Sequence, residues 1–315
     1  MPTEKPSSLR LLIAISIAIL AVSTSSVFIR FAQKEAPSLV IAASRLLLAS
    51  LFLAPPTLIR HRAELKNLSR KELLLGLLSG IFLAIHFATW ITSLEYTTIT
   101  NSVVLVSTSP LWVAILAPIF LKEKLTKTVI LGMILTLVGG TIIGFSEGCT
   151  WDGGIICASP TGFGLAEASK GNFLALAGAW AIAGYLLIGR QLRAKMSLIP
   201  YIFLVYGMAA IVMLIILFVG GETLLGYSAI TYLWLLLIAI FPQLIGHSTY
   251  NWALRYLPVA LVAVTTLGEP IGSSILAFVI LKEIPTTLQI IGGVLILAGI
   301  YVTSQKEKRT EKKKE

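Results

Sequence analysis

Apolar residues occur along the whole chain in long runs, which short stretches of charged residues, proline or glycine separate. A run of about 20 apolar residues is long enough to cross the hydrocarbon core of a bilayer as a helix. Ten such runs lie at residues 9–31, 38–59, 73–93, 99–121, 128–145, 171–188, 199–219, 229–250, 259–281 and 287–304. The pattern therefore predicts an all-α membrane protein with ten transmembrane helices.

The composition supports this prediction. Of the 315 residues, 56% are hydrophobic and 13% are charged, and the mean hydropathy is +0.89. Soluble domains contain about 25% charged residues, so this chain lacks the polar side chains for a water-soluble surface. The first apolar run has the length of a membrane span and no clear cleavage site, so we expect a retained helix and not a signal peptide.

The net charge of +10 comes from basic residues whose positions along the chain fit the predicted membrane topology. Most of the 25 Lys and Arg residues lie at the two termini and in every second connection between apolar runs. Cytoplasmic loops carry such an excess of basic residues. We therefore predict a protein of the plasma (inner) membrane with both termini in the cytoplasm and no nucleic-acid partner. The basic tail is either a solvated flank of the last helix or a contact with anionic lipids.

The second half of the chain repeats the first at a spacing of 160 residues. Residues 94–139 align without a gap on residues 254–299, and the identical pairs include Tyr96 with Tyr256, Pro110 with Pro270, Lys122–Glu123 with Lys282–Glu283 and Gly139 with Gly299. Five helices in each copy is an odd number, so the second copy is predicted to enter the bilayer upside down. We predict repeats over 1–146 and 169–305, an extracytoplasmic loop over 147–168 and a cytoplasmic tail over 306–315.

Two segments carry a shared pattern of a proline within a helix, a glutamate at the helix end and glycines in the next helix: SLEYTTITNSVVLVSTSPLWVAILAPIFLKEKLTKTVILGMILTLVGG and LRYLPVALVAVTTLGEPIGSSILAFVILKEIPTTLQIIGGVLILAGIYV. These segments resemble the EamA family of the drug/metabolite transporter superfamily. The resemblance implies ten helices around a central cavity and the export or exchange of amino acids or related metabolites. Inverted repeats are also typical of alternating-access transporters, whose sites lie where the repeats meet.

Two charged residues fall inside predicted helices, where a charge is costly unless it faces protein or water. Arg45 lies in the second helix, and Glu269 lies in the ninth beside Pro270. Arg45 has either a structural role, bound to helix-end carbonyls or a carboxylate, or a substrate contact. Glu269 binds a substrate amine, carries a proton or pairs with Arg45. We favour a structural or gating pair as the hypothesis for both.

Two prolines are predicted to interrupt helices at equivalent points of the repeat, because a proline frees the carbonyl four residues before it. Pro270 follows a glycine and a glutamate, whereas Pro110 follows the hydroxyl side chains Ser107, Thr108 and Ser109. These hydroxyls either satisfy the freed carbonyls or line the cavity as hydrogen-bonding groups for the substrate.

Polar and aromatic residues recur four positions apart on two predicted helices and therefore share a face of each helix. His86 and Trp90 form this pair on the third helix, and His247 and Asn251 form it on the eighth. Each pair either hydrogen-bonds between helices or lines the cavity or a gate. The repeat predicts that the two pairs lie on opposite sides of the membrane midplane.

The sixth predicted helix contains Trp180 and, about one turn later, Tyr185. The resemblance implies an aromatic side chain at the Trp180 position that faces the cavity. Packing between helices is the alternative. A cavity role would favour apolar or aromatic substrates, and amines through cation–π attraction.

The predicted outer loop contains the two cysteines of the chain, Cys149 and Cys157. A disulfide is chemically permitted on the extracytoplasmic side, and free thiols are the alternative. Three histidines without metal-ligand spacing predict no metal site, and nothing in the sequence calls for a cofactor.

The sequence lacks the motifs of the main enzyme classes. It contains no Gly-x-Ser-x-Gly motif and no phosphate-binding Gly-rich loop with a lysine, and its one aspartate, Asp152, leaves no aspartate pair for an intramembrane hydrolase. We therefore predict a transporter and not an enzyme. Its leading substrates are amino acids or related small metabolites; the alternative is proton-coupled efflux of cationic or amphipathic drugs. The expected partners are a small-molecule substrate and the lipid bilayer, and a monomer is compatible with the pattern.

Overall fold

The computed structural model describes residues 6–121, 127–146, 150–151, 155–156, 165–257 and 259–311. The helices of the first half are α1 (Ser8–Ser23), α2 (Ser25–Ala32), α3 (Ser38–Arg60), α4 (Arg62–Lys66), α5 (Arg70–Ser93), α6 (Ile99–Val106), α7 (Ser109–Leu121) and α8 (Lys127–Ser146). Those of the second half are α9 (Leu165–Arg193), α10 (Leu198–Val219), α11 (Ala229–Ile238), α12 (Ser248–Ala253), α13 (Val259–Thr265), α14 (Gly268–Leu276) and α15 (Thr287–Glu311). Two π-helical segments, Ala239–His247 and Ala277–Leu281, follow α11 and α14.

Every predicted apolar run coincides with helix. Within the described residues, eight helical stretches are long and apolar enough to cross a membrane, and a ninth apolar stretch, Thr287–Gly299, is shorter. The chain is therefore a multi-pass membrane protein, and the total of ten spans stays a prediction.

Two predicted boundaries differ from the structure. The sixth run was expected to begin at 171, but α9 begins at Leu165 and places Glu167 in its first turn, where a carboxylate interacts favourably with the helix dipole. The tail was expected to be separate from the last helix, but α15 continues to Glu311, because Lys, Arg and Glu are good helix formers.

The loop between the two halves contains a short pair of strands, β1 (Thr150–Trp151) and β2 (Ile155–Ile156), which are antiparallel. The two cysteines of the candidate disulfide, Cys149 and Cys157, lie outside the described residues, as does the Lys122–Glu123 pair. The disulfide and the alternative of free thiols therefore both stay open.

Polar caps define where several helices begin. Ser69 and Glu72 form a capping box at the start of α5, and the Thr98 hydroxyl accepts a hydrogen bond from the Asn101 backbone N–H at 3.2 Å at the start of α6. Ser228 caps α11 in the same way. Such side chains satisfy backbone N–H groups that have no partner within the helix.

Short connections of each half bind the other half. The Glu35 carboxylate, just after α2, accepts the Ser228 backbone N–H at 3.0 Å and the Thr231 hydroxyl at 2.8 Å. The bond from the Ser228 N–H, together with the Ser228 and Thr231 hydroxyls, lowers the pKa of Glu35 from its ordinary value. In the equivalent connection of the second half, the Ser197 backbone N–H donates to the Glu64 carboxylate at 2.6 Å. Both halves are thus joined through carboxylates that accept backbone N–H bonds.

Three of the long helices are interrupted, and a threonine hydroxyl bonds to a backbone carbonyl at each interruption. Thr24 lies between α1 and α2 and donates to the Ala21 carbonyl at 2.8 Å. Thr108, between α6 and α7, donates to Leu105 O at 2.8 Å, and Thr266, between α13 and α14, donates to Ala263 O at 2.7 Å. These bonds give the three hydroxyls partners inside the protein, as a lipid environment requires of polar groups.

The two halves make the same side-chain contacts with the backbone at positions 160 residues apart. Arg30 donates from Nη1 to the Leu94 carbonyl, and Arg190 donates from Nη1 to the Leu254 carbonyl. Gln33 Nε2 donates to Ile91 O at 3.0 Å, and Arg193 Nε donates to Asn251 O at 3.0 Å. The second pair of contacts uses different side chains, so the backbone geometry is repeated even where the sequence is not.

Helices α8 and α15 contact each other reciprocally through glycines. A Cβ atom at Gly139 would lie 2.6 Å from the Gly292 carbonyl oxygen, and one at Gly299 would lie 2.6 Å from the Gly132 carbonyl oxygen. Because Gly139 meets the Gly292 end of its partner while Gly132 meets Gly299, the helices run antiparallel. The equal distances indicate a local twofold axis between them.

We expect Gly139→Ala to destabilise the protein by about 1–3 kcal/mol, because the new methyl group overlaps a backbone oxygen that has no room to move. The measurement is the thermal unfolding midpoint of the purified protein in detergent. Gly140→Ala is the matched control, since its Cβ would meet the Leu105 side chain at 3.9 Å, an ordinary contact. Equal midpoints for the two variants would show that the α8–α15 contact is not close-packed.

Candidate functional site

A cavity lies at the centre of the described bundle, between the two halves. Aromatic and imidazole rings form much of its wall: His86, Trp90, Tyr185, His247 and Tyr250. Its other lining residues are the polar Ser107, Ser109, Thr266 and Glu269 and the apolar Val106, Ile182 and Leu186. Six of the ten residues predicted for the cavity or gate therefore line this one space.

Equivalent positions of the two halves line the same cavity. Three pairs of lining residues are separated by 160 positions: Trp90 with Tyr250, Val106 with Thr266, and Ser109 with Glu269. Both halves thus contribute to the cavity, and the second half supplies a carboxylate where the first supplies a hydroxyl.

Glu269 is the one carboxylate among the described residues that line the cavity. It lies in the first turn of α14, where the helix dipole favours a negative charge. Its backbone N–H donates to the Thr266 carbonyl at 2.9 Å, which is the carbonyl that Pro270 leaves without its usual helical partner. Among the described residues no ion pair joins Glu269 to Arg45, so the structure does not contain the predicted pair.

Arg45 is fully buried behind the cavity wall. Its Nε donates to Gln243 Oε1 at 2.6 Å, and its Nη1 donates to Ser25 Oγ at 3.0 Å. The guanidinium carbon lies 4.0 Å from the centre of the Phe87 ring, a cation–π contact. Arg45 therefore holds α3, α2, α5 and the π-helical segment together and does not line the cavity.

The two histidines lie next to each other, with ring centroids 6.3 Å apart. Both helices bring this face to the cavity, and the position of the two histidines on opposite sides of the midplane stays a prediction. His86 Nδ1 lies 2.9 Å from the Gly178 carbonyl oxygen. A carbonyl only accepts, so this nitrogen carries the hydrogen and leaves Nε2 as the other bonding atom. The His86 ring also stacks on Trp90, with centroids 5.8 Å apart.

Two buried donors at the cavity have no hydrogen-bond partner among the described residues. They are the Trp90 indole N–H and the Tyr250 hydroxyl, whose side chains are 2% and 4% exposed. An unpaired buried polar group costs about 1–3 kcal/mol, so such groups normally bind water or a ligand. Both donors belong to equivalent positions of the repeat and lie beside the same space.

Asn251 lies behind the cavity and connects its wall to α10. Its amide nitrogen donates to the Tyr185 hydroxyl at 2.5 Å, the Tyr206 hydroxyl at 3.3 Å and the His247 carbonyl at 2.8 Å. Tyr206 also bonds to Ser248 at 3.3 Å. Asn251 was predicted for the cavity or gate, and the structure places it in this supporting network.

Trp180 is outside the cavity, so the expectation that it faces substrate is wrong. Its side chain is 47% exposed, and its ring meets the edge of Phe82 at 5.9 Å. Trp180 precedes Tyr185 by five positions, which at 3.6 residues per turn is about 140° around the helix. Since Tyr185 points into the cavity, Trp180 must point away from it. Thr108 is also absent from the cavity wall, because its hydroxyl bonds to Leu105.

Comparison with known proteins identifies the fold and the family. A sequence profile described as the EamA-like transporter family matches residues 9–145 and 169–305, once in each half. The chain belongs to this family.

Relatives with similar sequences span most of the chain. A protein from Archaeoglobus fulgidus, named an uncharacterized transporter, is 27% identical over 303 residues, which is 96% of this chain and 99% of the relative. One from Synechocystis, also named an uncharacterized transporter, is 26% identical over 80% of this chain and 71% of its own length. A solved crystal structure superposes with a TM-score of 0.66 at 18% identity, covering 97% of this chain and all of that one, which shows the fold alone. The chain is therefore a membrane transporter of the EamA-like family.

Several supporting residues were not found from the sequence. Gln243, Ser25 and Phe87 hold Arg45, and Tyr206 supports Tyr185 through Asn251. Gln243 gave a signal, since a glutamine in an apolar run is unusual. Phe87 and Tyr206 gave none, because aromatic residues are common in membrane helices.

We expect Arg45→Met to destabilise the protein by about 2–4 kcal/mol, because it leaves Gln243 and Ser25 without a buried partner. Thermal unfolding in detergent measures this change, with the exposed Arg60→Met on the same helix as the control. A stable Arg45→Met protein that had lost only ligand binding would instead place Arg45 in the substrate site.

Proposed function

We propose that the protein is an alternating-access transporter that exports or exchanges amino acids or related small metabolites across the plasma membrane. The observation that carries this proposal is the cavity where equivalent positions of the two halves meet. A site between repeats is the arrangement that lets each half open the cavity to one side in turn.

The proposed architecture is ten spans in two inverted five-helix repeats with both termini in the cytoplasm. The antiparallel, reciprocal contact of α8 with α15 supports the inversion, because equivalent helices related by a twofold axis in the membrane plane must run in opposite directions. The repeated contacts of Arg30 with Leu94 and of Arg190 with Leu254 support the duplication. The distribution of basic residues supports the cytoplasmic position of the termini.

A substrate with both charges of an amino acid suits the groups in the cavity. Glu269 supplies a carboxylate for an ammonium group, and the unpartnered Trp90 N–H and Tyr250 hydroxyl supply donors for a carboxylate. Ser107 and Ser109 add hydroxyls, and Ile182 and Leu186 offer an apolar surface to a side chain. The cavity therefore offers a negatively charged hydrogen-bond acceptor and neutral hydrogen-bond donors in one small space.

A transport measurement in proteoliposomes tests this function. Vesicles loaded with mixed unlabelled amino acids should accumulate one or more labelled amino acids by counterflow, whereas vesicles loaded with nucleosides should not. We expect Glu269→Gln and Trp90→Phe to lower the transport efficiency about 10- to 150-fold, because each removes a hydrogen bond to a charged group worth about 1.5–3 kcal/mol. Trp180→Phe is the control and should leave transport unchanged, since Trp180 faces out of the bundle.

The same experiment has clear contrary outcomes. Counterflow that is equal in the wild type and in Glu269→Gln would remove the carboxylate from recognition. A loss in Trp180→Phe as large as the loss in Trp90→Phe would show that any tryptophan change disturbs the bundle.

A second candidate function is proton-coupled efflux of cationic or amphipathic drugs. The carboxylate of Glu269 among aromatic rings favours it, because such rings attract organic cations. Coupling would require proteoliposome efflux of a cationic dye to follow an imposed pH gradient and to lose that dependence in Glu269→Gln. Amino-acid counterflow without any pH gradient favours the leading proposal instead.

A further inference from the structure

An ion pair joins the two halves at one end of the bundle. Arg30, near the end of α2, lies with Nη2 3.2 Å from Glu283 Oε1. The same guanidinium donates to the Leu94 carbonyl and, at 3.1 Å, to the Thr97 carbonyl. Arg30 belongs to the first half and Glu283 to the second. This contact therefore joins the two halves, which must move relative to each other in the proposed transport cycle.

The second oxygen of Glu283 binds the start of another helix. The Ile99 backbone N–H, the first of α6, donates to Glu283 Oε2 at 3.0 Å. One carboxylate thus holds α2 through Arg30 and α6 through its first backbone N–H. If the Glu283 carboxylate left these partners, α2 and α6 would lose this contact with the second half at the same time.

The chain is bent sharply just before this carboxylate. Lys282 has φ 60 and ψ 24, the left-handed region, although it is not a glycine. Such a conformation costs about 1–3 kcal/mol and persists where surrounding contacts hold it. Here the Glu283 backbone N–H bonds to Ala277 O at 3.3 Å and its side chain bonds to Arg30 and Ile99. The bonds that join Glu283 to Arg30 and Ile99 therefore also keep Lys282 in its left-handed conformation.

Helix α6 connects this contact to the cavity. It runs for eight residues, about 12 Å, from Ile99 to Val106, and the next residue, Ser107, lines the cavity beside Val106. A displacement of the first turn of α6 therefore reaches the cavity wall through one rigid segment.

The Arg30–Glu283 ion pair lies where it can separate during a conformational change. The side chains of Arg30 and Glu283 are 22% and 24% exposed, so the protein does not enclose the pair completely. A partly exposed ion pair is less costly to separate than a fully buried one. The nearby Lys34 and Glu35 are exposed, and Glu35 is bound to Ser228 and not to Arg30.

We propose that Arg30, Glu283 and the first turn of α6 form a latch that closes the cavity on the predicted extracytoplasmic side and opens during the transport cycle. The latch rests on the proposed alternating-access function. In the latched state, Glu283 of the second half holds α2 and α6 of the first half; in the open state, its carboxylate leaves both, and Lys282 is released from its left-handed conformation.

Cysteine accessibility tests the latch. Ser109, a buried residue of the cavity wall, is replaced by cysteine in a protein in which Cys149 and Cys157 are changed to alanine. A membrane-impermeant maleimide added to intact cells then reports how often the cavity is open to the outside. We expect Arg30→Glu and Glu283→Arg each to increase the labelling rate about ten-fold, the effect of a shift of about 1.4 kcal/mol in the equilibrium between closed and open states.

The double variant Arg30→Glu/Glu283→Arg should label more slowly than either single variant but faster than the wild type, because the reversed charges attract again while the bonds to Ile99 and Thr97 stay broken. Lys34→Glu is the matched control, since it reverses an exposed charge close to Arg30 that does not contact Glu283. It should label at the wild-type rate. Monodisperse size-exclusion profiles identify variants that fold, and Arg30→Lys and Glu283→Gln provide milder changes if a reversal does not fold.

Labelling rates that are unchanged in every folded latch variant would overturn the latch. The outcome is separate from that of the transport assay. Faster labelling without amino-acid counterflow would leave the latch in place and refute the substrate assignment, whereas counterflow with unchanged labelling would do the reverse.

Discussion

The structure depends on one constraint, which is that every backbone polar group within the bilayer needs a partner inside the protein. Continuous helices meet this requirement by themselves, but an interrupted helix does not. This protein interrupts the helices that carry Ser107 and Glu269, and the Thr108 and Thr266 hydroxyls beside the interruptions donate to backbone carbonyls of the preceding turn. The residues beside those threonines are then free to face the cavity. The interruptions and the cavity are thus two results of the same local chemistry.

A comparison of the two duplicated halves distinguishes the contacts that the fold requires from those that the site requires. Backbone contacts are repeated even where side chains differ, as for Gln33 with Ile91 and Arg193 with Asn251. At the cavity the equivalent positions have diverged, so that Glu269 corresponds to Ser109 and Tyr250 to Trp90. A fully symmetric pair of positions would carry either two carboxylates or none. The divergence supplies a single carboxylate at this pair, which suits the one ammonium group of the proposed substrates.

The sequence predicted the helices well because apolar length is a local property and the membrane imposes it on each run separately. It also grouped His86, Trp90 and Glu269, because their spacing and the repeat indicated one cavity. The sequence did not predict contacts between residues far apart in the chain, and it did not predict which face of a helix a side chain occupies when the offset is only part of a turn. Gln243 lies 198 positions from Arg45, and no local pattern connects them. For Trp180, an offset of five residues was treated as one turn, although 3.6 residues make a turn and the remainder carries the ring to the opposite face.

The position of Arg45 relative to Glu269 bears on how a zwitterion would be held. Had the two charges paired, each would have satisfied the other and the cavity would have offered a ligand little electrostatic contrast. Instead, Gln243, Ser25 and the Phe87 ring bind Arg45 through neutral groups. A charge among neutral groups in a medium of low dielectric constant keeps a field that extends beyond its contacts. This field also reaches Glu269, which attracts Arg45 through space without an ion pair. In the proposed amino-acid site it would favour a substrate carboxylate near the Trp90 and Tyr250 donors. On this account Arg45 combines a structural role with an electrostatic one, without touching the substrate.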